Sequence, residues 1–312
     1  MITADLEQKA TLGTMVRLIS DESEAIEAPG HEPTTTAEEF EGRNGYSADF
    51  LMGWHIALPK ATGAKAADMR ELRRGGTGVE LRYQNFSSIL SMSRRMPMIT
   101  AVNISGRESR SLPRINTWSF DGRLDKTDQW GDELYAGNAL DRGHMVRRED
   151  PVWGTFEEAR QANVDTFHFT NSCPQMAAVN QKTWVGLENY VLQHARADQM
   201  RVSVFTGPYF SDSDLHYRGA LVPKAFWKVV AIITETGRPS ATAYKVSQEQ
   251  ELQELEFVFG AYKTYQISVR QVMADTGIDF SDLVPFDGFS TEEANTGNSM
   301  TETLETLASI RI

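Results

Sequence analysis

Short β-prone runs that alternate with helical stretches most constrain the fold of this 312-residue chain. Polar and apolar residues alternate over 201–204, which is typical of a strand with one buried face. The pattern predicts strands at 98–104, 166–169, 201–206, 226–236 and 241–246, and helices at 156–163, 182–196 and 248–260. In the second helix one core-facing stripe is expected, formed by Trp184, Leu187, Val191 and Ala195. We therefore expect an α+β domain with a mainly antiparallel sheet flanked by helices.

Composition limits the class of protein. With 40% hydrophobic residues and six tryptophans, the chain can bury a sizeable core. No run of about 18 apolar residues occurs, so we expect no membrane-spanning helix and no membrane partner. Residues 1–7 lack the basic and apolar regions of a secretory signal. The single cysteine, Cys173, excludes an intramolecular disulfide and a cysteine zinc cluster. We expect a cytoplasmic protein, or a secreted one if a leader was removed or another export route is used.

The chain divides into three unequal parts. Residues 1–40 are polar and acidic and contain Pro29, Gly30 and Pro33, so we expect a flexible acidic N-terminal arm with one short helix at 10–20. Residues 41–290 carry most of the predicted strands and helices and form the main domain. Residues 291–312 are expected to be a C-terminal tail, with a linker over 292–297 and a weak helix from 300 to 312.

One motif carries most of the chemistry. The segment Asp141-Arg142-Gly143-His144 is followed by Asn171, Asn180 and Glu188. Mg²⁺ keeps most of its waters and holds few protein ligands, so one side-chain oxygen in a shaped pocket can suffice. A nearby histidine that does not bind the metal can then act as general base on an attacking water. This set of groups suits phosphodiester hydrolysis with a single hard metal ion.

These residues resemble those of the DNA/RNA non-specific endonucleases with a ββα-metal site, a family that includes endonuclease G. The resemblance covers residues 41–290 and is carried by Gly45-Tyr46, Phe50-Leu51, and the segments 94–97, 100–103, 114–118, 141–144, 169–175, 180–188, 206–208 and 226–228. It implies a ββα-metal active-site motif, dependence on Mg²⁺ with Mn²⁺ as a substitute, and cleavage of DNA and RNA to 5′-phosphate and 3′-hydroxyl ends. Family members are often homodimers, so a homodimer is a further expectation.

Three residues have defined roles under that resemblance. His144 is expected to be the general base, although a lone histidine near an arginine is usually structural. Asn180 is expected to ligate Mg²⁺ through its amide oxygen, and its alternative role is a helix N-cap. Glu188 lies eight residues further on, roughly 12 Å along a helix at about 1.5 Å per residue, so we expect it to contact metal-bound water or to orient a neighbouring group. Its alternative is a solvated glutamate on the helix surface.

Phosphate contacts are expected from arginines. Arg142 and Arg114 are the candidates for stabilising the charge that grows in the transition state. Arg107 and Arg110 compete with Arg114 for that role. Arg142 could instead hold Asp141 or a strand edge in place.

Two further positions complete the expected site. By resemblance Asn171 lies close to the metal and the phosphate, and its alternative role is to cap a turn. In relatives an arginine often follows the helix glutamate by about one turn. That position is Leu192 in this chain, so those phosphate contacts are expected from Arg147 or Arg148.

The net charge of −12 argues against binding to nucleic acid, because phosphate binding rewards Lys and Arg. Arginines nevertheless concentrate around the motif, at Arg94, Arg95, Arg107, Arg110, Arg114, Arg123, Arg142, Arg147 and Arg148. An acidic body with a basic cleft is therefore expected, with surface ion pairing as the alternative for each arginine. Two alternative functions are a non-catalytic nucleic-acid-binding protein on the same fold and a phosphodiesterase acting on a small diester. An inhibitor, a regulatory partner or the acidic arm is expected to restrain a nuclease.

Overall fold

The computed structural model describes residues 32–177, 185–249 and 263–304. The described strands, in chain order, are β1 (Thr34–Thr35), β2 (Lys60–Ala61), β3 (Leu81–Tyr83), β4 (Phe86–Ser91), β5 (Met96–Ser105), β6 (Phe120–Asp121), β7 (Leu140–His144), β8 (Ser172–Met176), β9 (Arg201–Pro208), β10 (Leu215–Tyr217), β11 (Ala220–Val222), β12 (Ala225–Ile233), β13 (Pro239–Ser247), β14 (Lys263–Ile267), β15 (Ile278–Asp279) and β16 (Thr301–Thr303). An eight-stranded sheet organises them in the order β16-β14-β13-β12-β9-β5-β4-β3, with every neighbouring pair antiparallel.

Helices flank this sheet. The described α-helices are α1 (Gly63–Ala67), α2 (Asp132–Tyr135), α3 (Phe156–Asp165), α4 (Val185–Ala197), α5 (Val269–Thr276) and α6 (Gly288–Thr296). Short 3₁₀ turns occur at Glu38–Phe40, Lys126–Asp128, Phe169–Asn171 and Val284–Phe286. Within the described residues, no helix is both long and apolar enough to cross a membrane.

Both faces of the main sheet are covered. Successive residues of a strand point to opposite faces, so Phe226 and Trp227 of β12 enter different cores. Leu192 of α4 belongs to the first core and Val272 of α5 to the second. The antiparallel strand pair β7–β8 lies outside the main sheet and contributes Met176 to the first core. This strand pair and α4 are therefore on the same side of the main sheet, and the expected site lies between them.

Most element predictions are confirmed. Strands occur at 96–105, 201–208, 225–233 and 239–247, and the helix expected at 156–163 is α3. Thr155 begins α3 by accepting a hydrogen bond from the backbone N–H of Glu158, whose carboxylate accepts one in return. The helix expected at 182–196 is described from Val185 onward, and in its stripe Ala195 is buried while Trp184 lies outside the described residues. The helix at 10–20 and residues 250–260 of the third helix also lie outside them.

The strand predicted at 166–169 is wrong. These residues lead from α3 into the 3₁₀ turn Phe169–Asn171, and their sheet-like contact is one bridge between His168 and Ser119. The apolar rings that suggested a strand pack instead in the core, where Phe167 and Phe169 are almost fully buried. The strand begins three residues later than the end of the predicted run, at Ser172.

The segments that flank the predicted domain also pack on it where they are described. Near the N-terminal boundary, β1 pairs in parallel with β6, and Phe40 is buried. Near the C-terminal boundary, the linker predicted at 292–297 is wrong. Residues 292–296 lie in α6, which Asp287 caps at its N-terminus, and Gly297 is the C-cap of this helix. Residues 301–303 form the edge strand β16 instead of a helix, paired with β14. Residues 1–31 and 305–312 lie outside the described residues.

Candidate active site

His144 lies at the end of β7, the first strand of the antiparallel pair β7–β8. In the antiparallel register His144 lies opposite Ser172, and Gly143 lies opposite Cys173. A Cβ atom on Gly143 would come within 2.2 Å of the Gln175 carboxamide carbon. That distance is far below any real contact, so the glycine of the motif leaves room for the Gln175 side chain to lie against the strand beside the histidine. Cys173 is buried, and burial raises the pKa of its thiol well above the usual value, which argues against a nucleophilic role.

Two aromatic rings hold the His144 imidazole. The ring centroid of Trp118 lies 4.7 Å from it, and that of Phe167 lies 5.0 Å away, perpendicular to the imidazole plane. Both aromatic side chains are buried, so the imidazole has little freedom to rotate. Its Nε2 atom is buried and finds no hydrogen-bond partner among the described residues. A buried ring nitrogen without a partner is unusual in a purely structural histidine and is suited to accept a proton from a bound molecule.

The electrostatic surroundings keep His144 neutral. Burial is the main cause that holds the pKa of His144 well below its ordinary value of 6.5, and the positive charges of Arg114, Arg148 and Arg142 lower it further. A neutral imidazole at physiological pH is the form that can act as a base. Among the arginines weighed for phosphate binding, Arg114 is thereby placed near His144, whereas Arg110 donates to the Gly154 carbonyl at 2.5 Å.

Asn171 fixes the chain immediately after His144. Its Oδ1 accepts from the backbone N–H of Val146 at 2.8 Å, and its Nδ2 donates to the Val146 carbonyl at 2.9 Å. Nδ2 also donates to the Thr166 carbonyl at 3.0 Å, and the Asn171 carbonyl accepts from the Met145 N–H. The carboxamide is fully buried. In this geometry Asn171 clamps the His144 loop through backbone bonds, which is close to the turn-capping alternative.

Arg142 and Arg114 both lie beside the aromatic pocket. Nη1 of Arg142 donates a hydrogen bond to Asp132 of α2, and the Arg142 guanidinium lies 5.7 Å from the Trp118 ring centroid. The sequence alternatives for Arg142 did not include Asp132. The Arg114 guanidinium lies 5.2 Å from the Phe167 ring, and its Nε donates to Asn116 at 2.9 Å. Each guanidinium is thus placed by a π face and a hydrogen bond on the pocket of His144.

Glu188 of α4 is buried, so the alternative of a solvated surface glutamate is wrong. Its side chain is 6% exposed and its Oε1 accepts from Lys228 Nζ at 3.1 Å. Its Oε2 lies 4.0 Å from Nε of Arg147, which follows His144 by three residues. Glu188 is therefore tied both to β12 and to the loop that carries the histidine. Leu192, one turn further along α4, packs in the core.

Asn180, the expected metal ligand, lies outside the described residues. Among the described residues, no group of three or more His, Cys, Asp or Glu side chains could hold a metal ion. That excludes a zinc-type site there but not a hydrated hard cation, which needs one or two oxygen donors. The buried carboxylate of Glu188, near the histidine loop, fits the latter kind of site, as a group that accepts from bound waters.

Comparison with known proteins identifies the family of this chain. A family model described as DNA/RNA non-specific endonuclease matches residues 67–287, about two thirds of the chain. The chain belongs to this family. The resemblance seen in the sequence is thereby confirmed.

Relatives of this endonuclease family match over different lengths. "Uncharacterized protein y4fB" of Sinorhizobium fredii is 38% identical over 304 residues, which cover 89% of this chain and 44% of that protein. Human mitochondrial endonuclease G is 37% identical over 76 residues, or 24% of each chain. The bovine enzyme is 30% identical over 122 residues, 35% of this chain and 39% of that one. The chain thus spans less than half the length of each of these relatives.

The fold matches a solved structure, titled as the EndoG/EndoGI complex and the mechanism of EndoG inhibition. The TM-score is 0.51 at 17% identity, covering 67% of this chain and 87% of that chain. At this identity the match concerns the fold alone, and it confirms the expected mixed architecture with a large antiparallel sheet.

Four residues in or near the candidate site were missed by the sequence analysis. Trp118 and Phe167 lay within or near the resembling segments, but their contact with His144 depends on long-range packing. Lys228 did give a signal, since it is the cation inside the otherwise apolar strand β12. Asp150 is buried, its Oδ1 accepts no hydrogen bond in the described structure, and burial raises its pKa to about 7. Nothing in the local sequence distinguishes it from the exposed aspartates.

Proposed function

We propose that this chain is a divalent-metal-dependent endonuclease that hydrolyses DNA and RNA phosphodiester bonds without sequence specificity. The observation that carries this proposal is the neutral, aromatic-clamped His144, whose buried Nε2 has no partner in the described residues and which three arginines surround. Family membership supports the same reading. A base beside cationic groups suits an anionic substrate attacked by water.

The residues divide the chemistry as follows. His144 Nε2 accepts a proton from the water that attacks phosphorus, while Trp118 and Phe167 hold the imidazole in place. Arg114 and Arg142 face the negative charge that grows on the phosphate oxygens. Since these contacts address the backbone and not the bases, sequence and sugar type have little influence on cleavage. The products carry 5′-phosphate and 3′-hydroxyl ends.

The metal in this proposal is Mg²⁺, with Mn²⁺ as a substitute. Asn180 would ligate it and Glu188 would accept hydrogen bonds from its waters. When bound, the ion supplies positive charge to the phosphate and to the leaving 3′-oxygen. Asn171 has a positioning role, because its carboxamide is occupied by the backbone that follows His144.

The test is cleavage of supercoiled plasmid and of a structured RNA in Mg²⁺ or in EDTA, with the wild type and His144→Ala. Degradation of both polymers in Mg²⁺, absent in EDTA and in the variant, supports the proposal. Metal-independent binding without cleavage would favour a nucleic-acid-binding protein instead. Faster turnover of bis(p-nitrophenyl) phosphate than of polymer would favour the small-diester phosphodiesterase. Lys245→Met, on the neighbouring strand β13, serves as a control that should cleave normally.

Restraint and assembly belong to the same proposal. The EndoG/EndoGI structure concerns inhibition of a protein with the same fold, so we propose that this chain also meets an inhibitor. The acidic residues 1–31 are the internal candidate. Deleting them, while keeping β1 and Phe40, should raise cleavage most at low salt, and unchanged activity across salt would exclude that role. A homodimer is proposed as well, and sedimentation equilibrium tests it.

A further inference from the structure

Lys228 lies in an unexpected place. It is in the middle of β12, in the run Ala225–Ile233 that is otherwise apolar, and only 2% of its side chain is exposed. Removing an ammonium group from water costs several kcal/mol unless a partner compensates. The partner is Glu188 Oε1, 3.1 Å from Nζ, on a helix that packs over this face of the sheet. A lysine and a glutamate from distant parts of the chain therefore share one buried site.

This pair is not explained by stability alone. Replacing a buried ion pair by apolar residues is often neutral or stabilising, so such a pair is weak evidence for a purely structural role. The pair does have a geometric consequence, since it holds one oxygen of Glu188 and leaves the other toward the histidine loop, 4.0 Å from Arg147 Nε. The carboxylate is thereby oriented by a cation from the sheet on one side and one from the loop on the other.

A second buried carboxyl lies in the field of the same cations. Asp150 follows Arg147 by three residues, lies within the electrostatic range of Lys228 and Glu188, and is 4% exposed. Its Oδ1 accepts no hydrogen bond within the described structure, and burial raises its pKa to about 7. Two carboxyl groups thus share the field of these cations, and Lys228 donates a hydrogen bond to Glu188.

We propose that Lys228 is a positioning residue of the endonuclease: its ion pair orients the Glu188 carboxylate so that Glu188 can accept hydrogen bonds from the waters of the metal ion. This inference rests on the proposed function. Lys228 touches neither substrate nor reacting atoms and acts through Glu188. The loss of Lys228 removes the hydrogen bond that orients the buried carboxylate, so Glu188 holds bound waters less well.

The experiment measures Mn²⁺ binding in the absence of substrate, by the electron paramagnetic resonance signal of free Mn²⁺, from pH 5.5 to 8.5. The variants are Lys228→Met, Lys228→Arg, Glu188→Gln and the double variant Lys228→Met/Glu188→Gln. Lys245→Met is the matched control, because Lys245 lies on the adjacent strand over the Tyr209 ring. Circular dichroism establishes that each variant is folded, and plasmid cleavage at saturating metal gives kcat and KM.

Lys228→Met should weaken Mn²⁺ binding by about 10- to 100-fold at pH 7. Lys228→Arg should recover part of the loss, and Lys245→Met should bind as the wild type does. In the Glu188→Gln background, Lys228→Met should cause no further loss. A purely structural role would change the unfolding midpoint without weakening Mn²⁺ binding by the folded variant.

Three results would overturn the inference. One is unchanged Mn²⁺ affinity in folded Lys228→Met; another is an equal loss in the Glu188→Gln background, which would show that Lys228 does not act through Glu188. If Lys228→Met does not fold, the uncharged double variant decides, and the inference fails if that variant binds Mn²⁺ more weakly than Glu188→Gln does. The proposed function fails separately, if the wild type binds no Mn²⁺ and cleaves neither polymer.

Discussion

Asp150→Asn should stabilise the protein in a pH-dependent way. The Asp150 carboxyl is 4% exposed, and burial raises its pKa from 3.8 to about 7 even though the charges of Arg147 and Lys228 lower it. The folded protein therefore retains a proton that the unfolded chain releases above about pH 4. The contribution of this group to the free energy of unfolding is thus close to zero below pH 4, falls as pH rises from about 4 to about 7, and levels off above that.

The size of the effect follows from these two pKa values. An unfolded value of 3.8 and a folded value of about 7 give a destabilisation of about 1.7 kcal/mol at pH 5 and about 4 kcal/mol at pH 8. Asparagine has nearly the same shape and does not titrate. The stability advantage of Asp150→Asn over the wild type should therefore grow by about 2–3 kcal/mol from pH 5 to pH 8. Effects of the substitution that do not depend on pH cancel in this difference.

Urea unfolding followed by tryptophan fluorescence at pH 5, 6.5 and 8 measures this difference. Asp282→Asn, at an exposed position, is the control and should show no such growth. An advantage of Asp150→Asn that is constant within about 0.5 kcal/mol over this range would refute the account of Asp150 as a buried carboxyl that lacks adequate partners.

Three further predictions concern the His144 loop. The midpoint of the acid limb of the kcat/KM pH profile should lie below pH 6.5, because burial and the arginines lower the pKa of His144. Arg148→Gln should move that midpoint upward. A wild-type midpoint above pH 6.5 would contradict this. Gly143→Ala should lower both activity and Tm, since its Cβ would meet a carboxamide at 2.2 Å, whereas Gly288→Ala, with nothing within 4 Å, should leave both unchanged. Asn171→Ala should lower the free energy of unfolding by about 3 kcal/mol in urea, as three backbone groups lose their partner; a loss under about 1 kcal/mol would exclude the clamp.

Elements that leave a periodic pattern in the local sequence could be predicted from it. Alternation along β9 and β12 reflects burial on sheet faces, so these strands were predictable to within a few residues. The motif around His144 was sufficient to identify the histidine as a candidate base, but it did not predict the paired strands β7 and β8 that carry it. The run 166–169 was wrongly predicted as a strand because its aromatic residues are not on a sheet. Phe167 packs against the His144 imidazole, and both Phe167 and Phe169 belong to the first core.

Features that depend on contacts between residues far apart in the chain could not be predicted from the sequence. Glu188 was expected near the metal, with a solvated helix surface as its alternative, but the sequence did not reveal its contact at 3.1 Å with Lys228, 40 residues later in the chain. The same holds for Trp118, which meets the imidazole only through the packing of the first core. Asn171 matched the family motif, but the motif does not reveal that backbone groups occupy its carboxamide.

Chemical rescue of His144→Ala by imidazole tests the central claim, that a neutral His144 accepts the proton from water during phosphodiester cleavage. Plasmid nicking would be measured for the wild type and the variant in Mg²⁺, with and without imidazole, from pH 6 to 8. We expect the variant to be nearly inactive and to recover with imidazole in proportion to its neutral form. Cleavage by His144→Ala at the wild-type rate, without imidazole, would contradict the assignment of the base.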